Sequence, residues 1–409
     1  MKYIADLHIH SHFSMATSSQ LTPPSLDLWA RKKGITVVGT GDAVHPGWMN
    51  ELKEMLADAG NGLYRLKKEY ALPESGKWSG DVYFMLTAEI SCIYKALGAV
   101  RKVHNVIAAP DFATMEKIQS ALDTIGNIRS DGRPILGLDS RDLLEVVLEA
   151  GNDAFLFPAH IWTPWFSVLG SKSGFDTIEQ CYRDLSEHVF AAETGLSSDP
   201  AMNWKCSFLD RYSLISSSDA HSPENLGREA TVFETELSFE AMVNALRDRK
   251  RTGLWGTIEY FPEEGKYHLD GHRACGICWD PQTTRAHKGI CPVCGKKVTV
   301  GVLNRICELA DSEQLEMDQS KKPYHSLTSL KSIISEVTGK GGATKTVSRR
   351  YEKLLQSLGS EFAILLDIPL EALLRADDSV AAGVERLRNR QVTLKSGYDG
   401  VYGTVRVLG

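Results

Sequence analysis

The stretch Asp6–Ser14, DLHIHSHFS, places three histidines at alternate positions directly behind a short apolar run. Residues two apart on a β-strand project from the same face, so His8, His10 and His12 would converge on one point. Burying several titratable rings together is costly unless a charged group binds them, and a metal ion meets that need. Because His12 lies past the expected end of the strand, the pattern favours His8 and His10 as ligands.

The composition of the 409-residue chain, with 43% hydrophobic and 24% charged residues, is that of an ordinary globular protein with two or three domains. No apolar run approaches the ~18 residues of a membrane span, and no signal peptide is recognisable at the N-terminus. Four of the eight cysteines form two close pairs, which favours a metal site in a reducing, cytoplasmic compartment over a disulfide framework.

Short apolar runs alternate with helical patterns from Met1 to about Arg251, which predicts an α/β fold with parallel strands. About seven such units fit a closed β/α barrel better than an open sheet. Helices are expected at Ser25–Lys33, Ser140–Ala150 and Phe239–Lys250. The expected strands are Tyr3–Ala5, Ile35–Gly39, Val82–Ala88, Val103–Ala108, Ala154–Phe157, Val189–Ala192 and Ser213–Ile215.

Histidine and carboxylate side chains follow or lie within most of these strands, at the rim where β/α barrels build active sites. A single histidine is more often a hydrogen-bonded core residue, but core histidines have no reason to gather at one rim. Glu193 also ends a strand, where it binds either substrate or a helix N-terminus. The candidate catalytic and metal-ligating residues are His8, His10, Asp42, His45, Glu89, His104, His160, Asp219 and His221.

Nine ligands exceed the three that one catalytic zinc needs, so we expect two or three divalent ions with Glu89 as a bridge. Mixed imidazole and carboxylate ligation suits Zn or Mn, with Fe and Mg as further candidates. Ions held about 3.5–4 Å apart promote hydrolysis of phosphate esters, which is the chemistry this ligand set predicts.

The segment CGICWDPQTTRAHKGICPVCGKK, residues 275–297, contains two C-x2-C pairs. Four thiolates make a closed structural zinc site, so the pattern predicts a short zinc ribbon. Cys307 is expected to be buried in a helix. The predicted zinc ligands are Cys275, Cys278, Cys291 and Cys294, and the basic neighbours that would allow contact with a polyanion are Arg285, His287, Lys288, Lys296 and Lys297.

Beyond Gly301 the pattern becomes helical and mildly basic, with 17 Lys and Arg against 14 Asp and Glu in residues 295–409. The segment Thr338–Arg350, TGKGGATKTVSRR, is either an exposed loop or a phosphate-holding loop, since it lacks the Walker A spacing. We expect three parts, residues 1–260, 261–300 and 301–409. The expected helices are Val302–Ala310, Ser326–Thr338, Ser348–Leu358 and Ala381–Arg390, followed by a hairpin that turns at residues 397–400.

The order of the barrel ligands resembles the polymerase and histidinol phosphatase (PHP) superfamily. This resemblance implies a distorted seven-stranded β/α barrel with three metal ions. Many members carry a further histidine where this chain has Met15, so the third ion site is expected to be weaker or differently completed. The implied groups are His8, His10, Glu89 and Asp219 for one ion, Glu89, His104 and His160 for the second, and His45 and His221, with Asp42 as a further candidate, for the third.

The arrangement of barrel, ribbon and helical part ending in GYDGVYGTVRV resembles the endonuclease Q family along essentially the whole chain. Residues 159–176, AHIWTPWFSVLGSKSGFD, and residues 216–231, SSSDAHSPENLGREAT, are similar to segments of that family. The resemblance implies DNA-repair cleavage 5′ of uracil, hypoxanthine, xanthine and abasic sites. Damaged DNA is then the expected partner, with replication or repair proteins as further candidates.

Aromatic residues directly after His160 either stack on an extruded base or belong to the core. The candidate substrate-binding residues are Trp162, Trp165, Phe166, Lys172, Ser173, Lys340, Lys345 and Arg349. One alternative is a small-molecule phosphatase, which would need neither the ribbon nor the helical part. A second is a non-catalytic module that docks to a helicase or polymerase, which would not explain an intact ligand set.

Overall fold

The computed structural model describes residues 1–151, 153–312 and 321–409. Its strands are β1 (Lys2–Asp6), β2 (Val37–Gly39), β3 (Leu56–Asp58), β4 (Tyr64–Leu66), β5 (Tyr83–Ala96), β6 (Ala99–Ala109), β7 (Ile135–Leu136), β8 (Phe155–Pro158), β9 (Ala191–Glu193), β10 (Ser213–Ile215), β11 (Ala230–Glu234), β12 (Leu254–Tyr260), β13 (Asp270–His272), β14 (Ile277–Trp279), β15 (Tyr324–Leu327), β16 (Thr393–Lys395) and β17 (Thr404–Arg406).

The α-helices occupy both halves of the chain and dominate the C-terminal one. They are α1 (Pro23–Lys33), α2 (Pro46–Met55), α3 (Phe112–Ile125), α4 (Ser140–Ala150), α5 (Ile178–Tyr182), α6 (Pro200–Asn203), α7 (Phe239–Arg247), α8 (Pro281–Ala286), α9 (Val302–Leu309), α10 (Leu330–Thr338), α11 (Lys345–Leu358), α12 (Leu370–Ala376) and α13 (Asp378–Arg388). None of the helices in the described ranges has the length and apolar character needed to cross a bilayer.

A mixed sheet of eleven strands forms the centre of the described structure. Strands β1, β2 and β5 run parallel, and their neighbouring residues alternate between two buried apolar clusters; Val37 packs in one cluster and Val38 in the other. Such continuous apolar strands are typical of a sheet covered on both faces. The predicted α/β class with a helical C-terminal part is confirmed.

The prediction of parallel pairing throughout was wrong at β5, β6 and β8, which pair antiparallel. Strand β5 does not end before Glu89 but continues to Ala96 and turns back into β6 through Leu97 and Gly98. Both turn residues have positive φ, 49° and 74°, which is typical of a tight two-residue hairpin turn. As a result, His104 lies within β6, opposite Ser91, and not at a strand end.

The C-terminal part contains the predicted helices, with one exception. Ser326 and Leu327, expected at the start of a helix, instead belong to β15, which pairs parallel with β12 and so adds a strand to the central sheet. The terminal hairpin is present as β16 and β17. Cys307 is helical as predicted, but it is exposed and not buried, because it lies on the outward face of α9.

Candidate metal centre

Several strands and the loops that follow them bring two groups of metal-binding side chains together. In each group, one ligand atom from every residue lies within 4.8 Å of the others. Glu89, buried in the middle of β5, belongs to both groups, as expected of a bridging ligand. The first group contains His8, His10, Glu89 and Asp219, and the second contains Glu89, His104 and His160.

The two carboxylate oxygens of Glu89 face different groups. Oε2 lies 3.5 Å from His8 Nε2 and 3.3 Å from His10 Nε2. Oε1 lies 2.6 Å from His104 Nδ1 and 3.4 Å from His160 Nε2. The carboxylate is therefore placed to hold two cations side by side.

Unsatisfied polar atoms show that these groups fit metal ions. His8 Nε2 is buried and makes no hydrogen bond, and the contact of the buried Glu89 Oε1 with His104 Nδ1 lacks the geometry of a hydrogen bond. Orphaned buried polar atoms are rare in proteins because each one costs free energy, and a bound cation would satisfy both atoms. Imidazole nitrogens with carboxylate oxygens form the donor set that divalent zinc or manganese prefers.

Electrostatic coupling within the first group is strong. Burial favours the neutral forms, but the carboxylates of Glu193 and Glu89 outweigh it and raise the pKa of His8 well above its ordinary value. Despite its burial, the pKa of Glu89 is well below its ordinary value, because His104 and His8 face it. Burial outweighs the attraction of the Glu89 carboxylate and lowers the pKa of His104 to about 4.

Three of the nine predicted metal-ligating residues have left-handed backbones. The φ angles are 52° at Asp42, 30° at His160 and 47° at Asp219. Non-glycine residues with such angles are uncommon and cluster at functional sites, where the surrounding structure holds them. Gly195 packs against His160 so closely that a Cβ at residue 195 would lie 2.4 Å from the His160 Cβ, so only glycine fits there.

Glu193 takes a role that the sequence left open. Its Oε2 and Oε1 lie 2.9 and 3.1 Å from His8 Nδ1, and Oε2 also accepts the backbone N–H of His160 at 2.8 Å. One buried carboxylate thus orients ligands of both groups. A carboxylate that accepts the second ring N–H of a ligating histidine fixes the tautomer and the direction of the ring.

We expect replacement of Glu193 by Gln to weaken divalent-ion binding in the barrel about 10- to 100-fold, because His8 loses the anion that orients it. Competition against a metal-sensitive chelator dye measures this change. Replacement of the exposed Glu187 by Gln is the matched control and should leave the affinity unchanged. Equal affinities for the Glu193 and Glu187 variants would contradict this role.

Asp42 supports a ligand and does not join either group. Its Oδ1 lies 3.2 Å from His10 Nδ1, while its Oδ2 accepts from the backbone N–H and the hydroxyl of Ser11, both at 2.7 Å, and from Ser14 Oγ at 2.8 Å. All of these partners surround a fully buried carboxylate. Both oxygens of Asp42 thus have hydrogen-bond partners, and Asp42 lies outside the two groups, so its role as a metal ligand stays a prediction.

The third predicted group, around His45 and His221, does not assemble among the described residues. His45 caps α2 by accepting the Trp48 N–H on Nδ1 at 3.4 Å, and its Nε2 lies 3.0 Å from the carbonyl of Arg129. Both of its ring nitrogens are thus engaged. His221 donates from Nδ1 to the carbonyl of Asp219 at 2.8 Å. Met15, in the place of the additional histidine, is exposed.

The ribbon brings together three of its four predicted cysteines, with His272 as the fourth member of the group. His272 Nδ1 lies 3.6 Å from Cys294 Sγ. Cys278 lies outside the group, because it stands on β14 opposite Gly271 with its side chain exposed. The spacing from His272 to Cys275 is the same as the spacing within each cysteine pair. The prediction counted cysteines alone and therefore missed this histidine. The group is His272, Cys275, Cys291 and Cys294.

We expect Cys278→Ser to retain the ribbon zinc and His272→Ala to weaken its binding by at least about tenfold, because the histidine completes the tetrahedral set. Counting zinc by native mass spectrometry after dialysis against a mild chelator distinguishes the variants. Cys291→Ser should lose the ion in every case. Zinc loss in the Cys278 variant with retention in the His272 variant would restore the four-cysteine set.

The predicted substrate-binding residues divide into buried and accessible ones. Trp162 is a core residue, since it is 1% exposed and donates from Nε1 to Asn203 Oδ1 at 2.7 Å. Ser173 is also buried, and it links Phe166 N–H to the carbonyl of Lys102. The Phe166 ring packs at 4.8 Å from the His104 ring. Trp165, Lys172, Lys340, Lys345 and Arg349 are exposed.

Comparison with known proteins extends from end to end. The PHP-associated family model matches residues 208–250, and the model of the MJ0043 C-terminal domain matches residues 329–391. Over 60% of this chain, 31% of residues are identical to the uncharacterized protein MJ0043 of Methanocaldococcus jannaschii, a match that spans 31% of that protein's own length. The uncharacterized protein YqxK of Bacillus subtilis is 28% identical over 99% of both chains.

Two solved structures share the whole fold. The lesion-specific endonuclease PfuEndoQ from Pyrococcus furiosus is 31% identical, with a TM-score of 0.85, and the match covers 99% of this chain and 95% of that chain. A complex of endonuclease Q with a duplex that carries an abasic lesion at the active site matches with the same identity and TM-score. The chain belongs to the endonuclease Q family.

Proposed function

We propose that this protein is a metal-dependent DNA-repair endonuclease that cuts on the 5′ side of deaminated bases and abasic sites. The observation that carries the proposal is the combination of an end-to-end match to endonuclease Q with two convergent groups of ligands. In the solved complex, endonuclease Q holds an abasic duplex at its active site. The same class of substrate suits this chain because its buried ligand groups converge on one site.

The side chains of the barrel prepare a site for phosphodiester hydrolysis. Divalent ions bound there would supply Lewis acidity and a nucleophile at neutral pH. Glu89 holds the two groups together, while Glu193 and Asp42 orient His8 and His10. Buried hydrogen bonds fix these ligands before substrate arrives, so the site needs little reorganisation during the reaction. The proposed catalytic set is His8, His10, Glu89, His104, His160 and Asp219.

An extruded base would meet the loop that follows His160. Trp165 is 38% exposed, and the half-buried Phe166 lies against the ligand His104. Unpairing costs least for a mismatched or missing base, so a site that accepts only extruded nucleotides favours such lesions. We propose that Trp165 and Phe166 stack on the extruded base and that Lys172 contacts its edge or the adjacent phosphate.

The ribbon and the helical part would bind the duplex outside the barrel. We propose a division into residues 1–260 for catalysis, 261–300 for the ribbon and 301–409 for DNA binding. The exposed cationic side chains of Lys340, Lys345 and Arg349 are suited to contacts with backbone phosphates, which depend on salt and not on sequence.

Cleavage assays on defined duplexes test the proposed function. Labelled duplexes with one uracil, hypoxanthine, xanthine or abasic site, and an undamaged duplex, are incubated with the protein and manganese, magnesium or zinc. We expect one nick 5′ of each lesion and an intact undamaged strand. Release of phosphate from small monoesters, without cleavage of any duplex, would instead identify a phosphatase. Binding without any hydrolysis would indicate a docking module.

A further inference from the structure

Arg133 places a positive charge directly beside the first ligand group. Its Nη1 lies 3.2 Å from Glu89 Oε2, the oxygen that faces His8 and His10. Its side chain is 27% exposed, so the guanidinium contacts the buried carboxylate and still reaches the open side of the site. The charges of Glu89 and Asp219 overcome burial and raise the pKa of Arg133. Together with burial, the charge of Arg133 lowers the pKa of His221.

The loop that carries Arg133 is held tightly against the histidine segment. Gly132 donates its N–H to the carbonyl of Phe13 at 3.0 Å, and a Cβ at residue 132 would lie 2.3 Å from Asp42 Oδ2 and 2.6 Å from Ser14 Oγ. Only glycine allows this approach. One residue beyond Arg133, the carbonyl of Pro134 accepts the Ser91 N–H of β5 at 3.0 Å. The position of Arg133 is thus fixed from both sides.

The same loop contacts His45, one of the two histidines that were predicted to hold a third ion. The carbonyl of Arg129 lies 3.0 Å from Nε2 of His45. Met15 N–H donates to Asp131 Oδ1 at 3.2 Å, while the Met15 side chain is exposed. Arg133 therefore belongs to a loop that contacts His45 and the Met15 backbone, where a third group of ligands does not assemble among the described residues.

We propose that Arg133 is a catalytic residue that binds the non-bridging oxygens of the phosphate under attack and supplies the positive charge of a third cation. This inference rests on the proposed function. A guanidinium is permanently charged and presents a planar fork that matches two phosphate oxygens. Because it is fixed before substrate binds, it stabilises developing charge without reorganisation.

Two variants of Arg133 and one control test the proposal. We expect Arg133→Ala to lower kcat about 10- to 100-fold and to weaken the binding of inorganic phosphate to the metal-loaded protein, measured calorimetrically, by about tenfold. Arg133→Lys should recover part of the lost kcat and part of the lost phosphate affinity, because lysine keeps the positive charge but lacks the planar, two-pronged guanidinium. The control, Arg129→Ala, removes an exposed side chain of the same loop and keeps the carbonyl that contacts His45.

The number of bound metal ions distinguishes a catalytic role of Arg133 from a purely structural one. We expect Arg133→Ala to retain the same number of barrel ions as the unmodified protein. If Arg133→Ala loses an ion, Arg133 only positions Glu89 and the proposal is overturned. If kcat and phosphate binding of Arg133→Ala are unchanged, the proposal is overturned as well. If the unmodified protein cuts no duplex, the proposed function fails, whereas phosphate binding still tests Arg133 by itself.

Discussion

Replacement of Asp219 by Asn is expected to lower the rate of lesion cleavage about 10³-fold. Asp219 Oδ1 lies 3.0 Å from His10 Nε2, within the first ligand group. An amide keeps the shape of the side chain but removes the negative charge that would bind a divalent ion. The electrostatic effect of a catalytic ion is worth several kcal/mol, and each 1.36 kcal/mol changes a rate tenfold.

Single-turnover cleavage of an abasic duplex by the Asp219 variant, at saturating protein, measures this effect. The control is Asp123→Asn, which removes the charge of a carboxylate paired with Arg129 outside the ligand groups and should cut at the normal rate. Thermal melting shows whether both variants fold. DNA binding by the Asp219 variant should change little, because the proposed duplex-binding parts lie outside the barrel. A rate within tenfold of normal would contradict the ligand role.

Removal of the barrel ions by a chelator is expected to abolish cleavage, and the return of a single kind of divalent ion should restore it. Among the described residues, no hydrogen bond satisfies the buried His8 Nε2 and Glu89 Oε1, and a divalent ion would supply the missing contact to each atom. Zinc counting alongside the activity assay distinguishes the barrel ions from the ribbon ion. Full activity after complete removal of barrel ions would contradict metal dependence.

Metal binding in the barrel is also expected to weaken as the pH falls. In the absence of ions, neighbouring carboxylates overcome burial and raise the pKa of both His8 and His10 well above 6.5. An imidazolium cannot bind a metal ion, so below that raised pKa protons compete with the metal ion for His8 and His10. Binding of the metal ion therefore releases protons. The apparent Kd should rise about tenfold per pH unit for each proton released. A metal titration repeated from mildly alkaline to mildly acidic pH measures the slope, and a flat profile would contradict it.

The sequence predicted the parts of the site that depend on local periodicity. His8 and His10 alternate behind an apolar strand, and Glu89 directly follows another predicted one, so their convergence follows from the parallel strands β1 and β5, which both pair with β2. Helix α4 begins and ends as predicted, because Asp139 caps it and Gly151 follows it.

Features that depend on contacts distant in sequence were not predictable. The antiparallel hairpin of β5 and β6 was missed because a continuous apolar run does not reveal strand direction. The hydrogen bonds that Ser11 and Ser14 donate to the Asp42 carboxylate were missed, because the sequence does not show which side chains pack against it. Likewise, no sequence pattern places Arg133 beside Glu89, because the contact depends on how the loop packs on Asp42.

The position and metal dependence of the nick test the central claim most directly. A duplex with one abasic site is labelled at the 5′ end in one preparation and at the 3′ end in another, and the products of the unmodified protein are sized with and without a divalent ion. We expect a single cut on the 5′ side of the lesion that disappears when the ion is withheld. A cut on the 3′ side, cutting of undamaged DNA at an equal rate, or cleavage that persists without metal would contradict it.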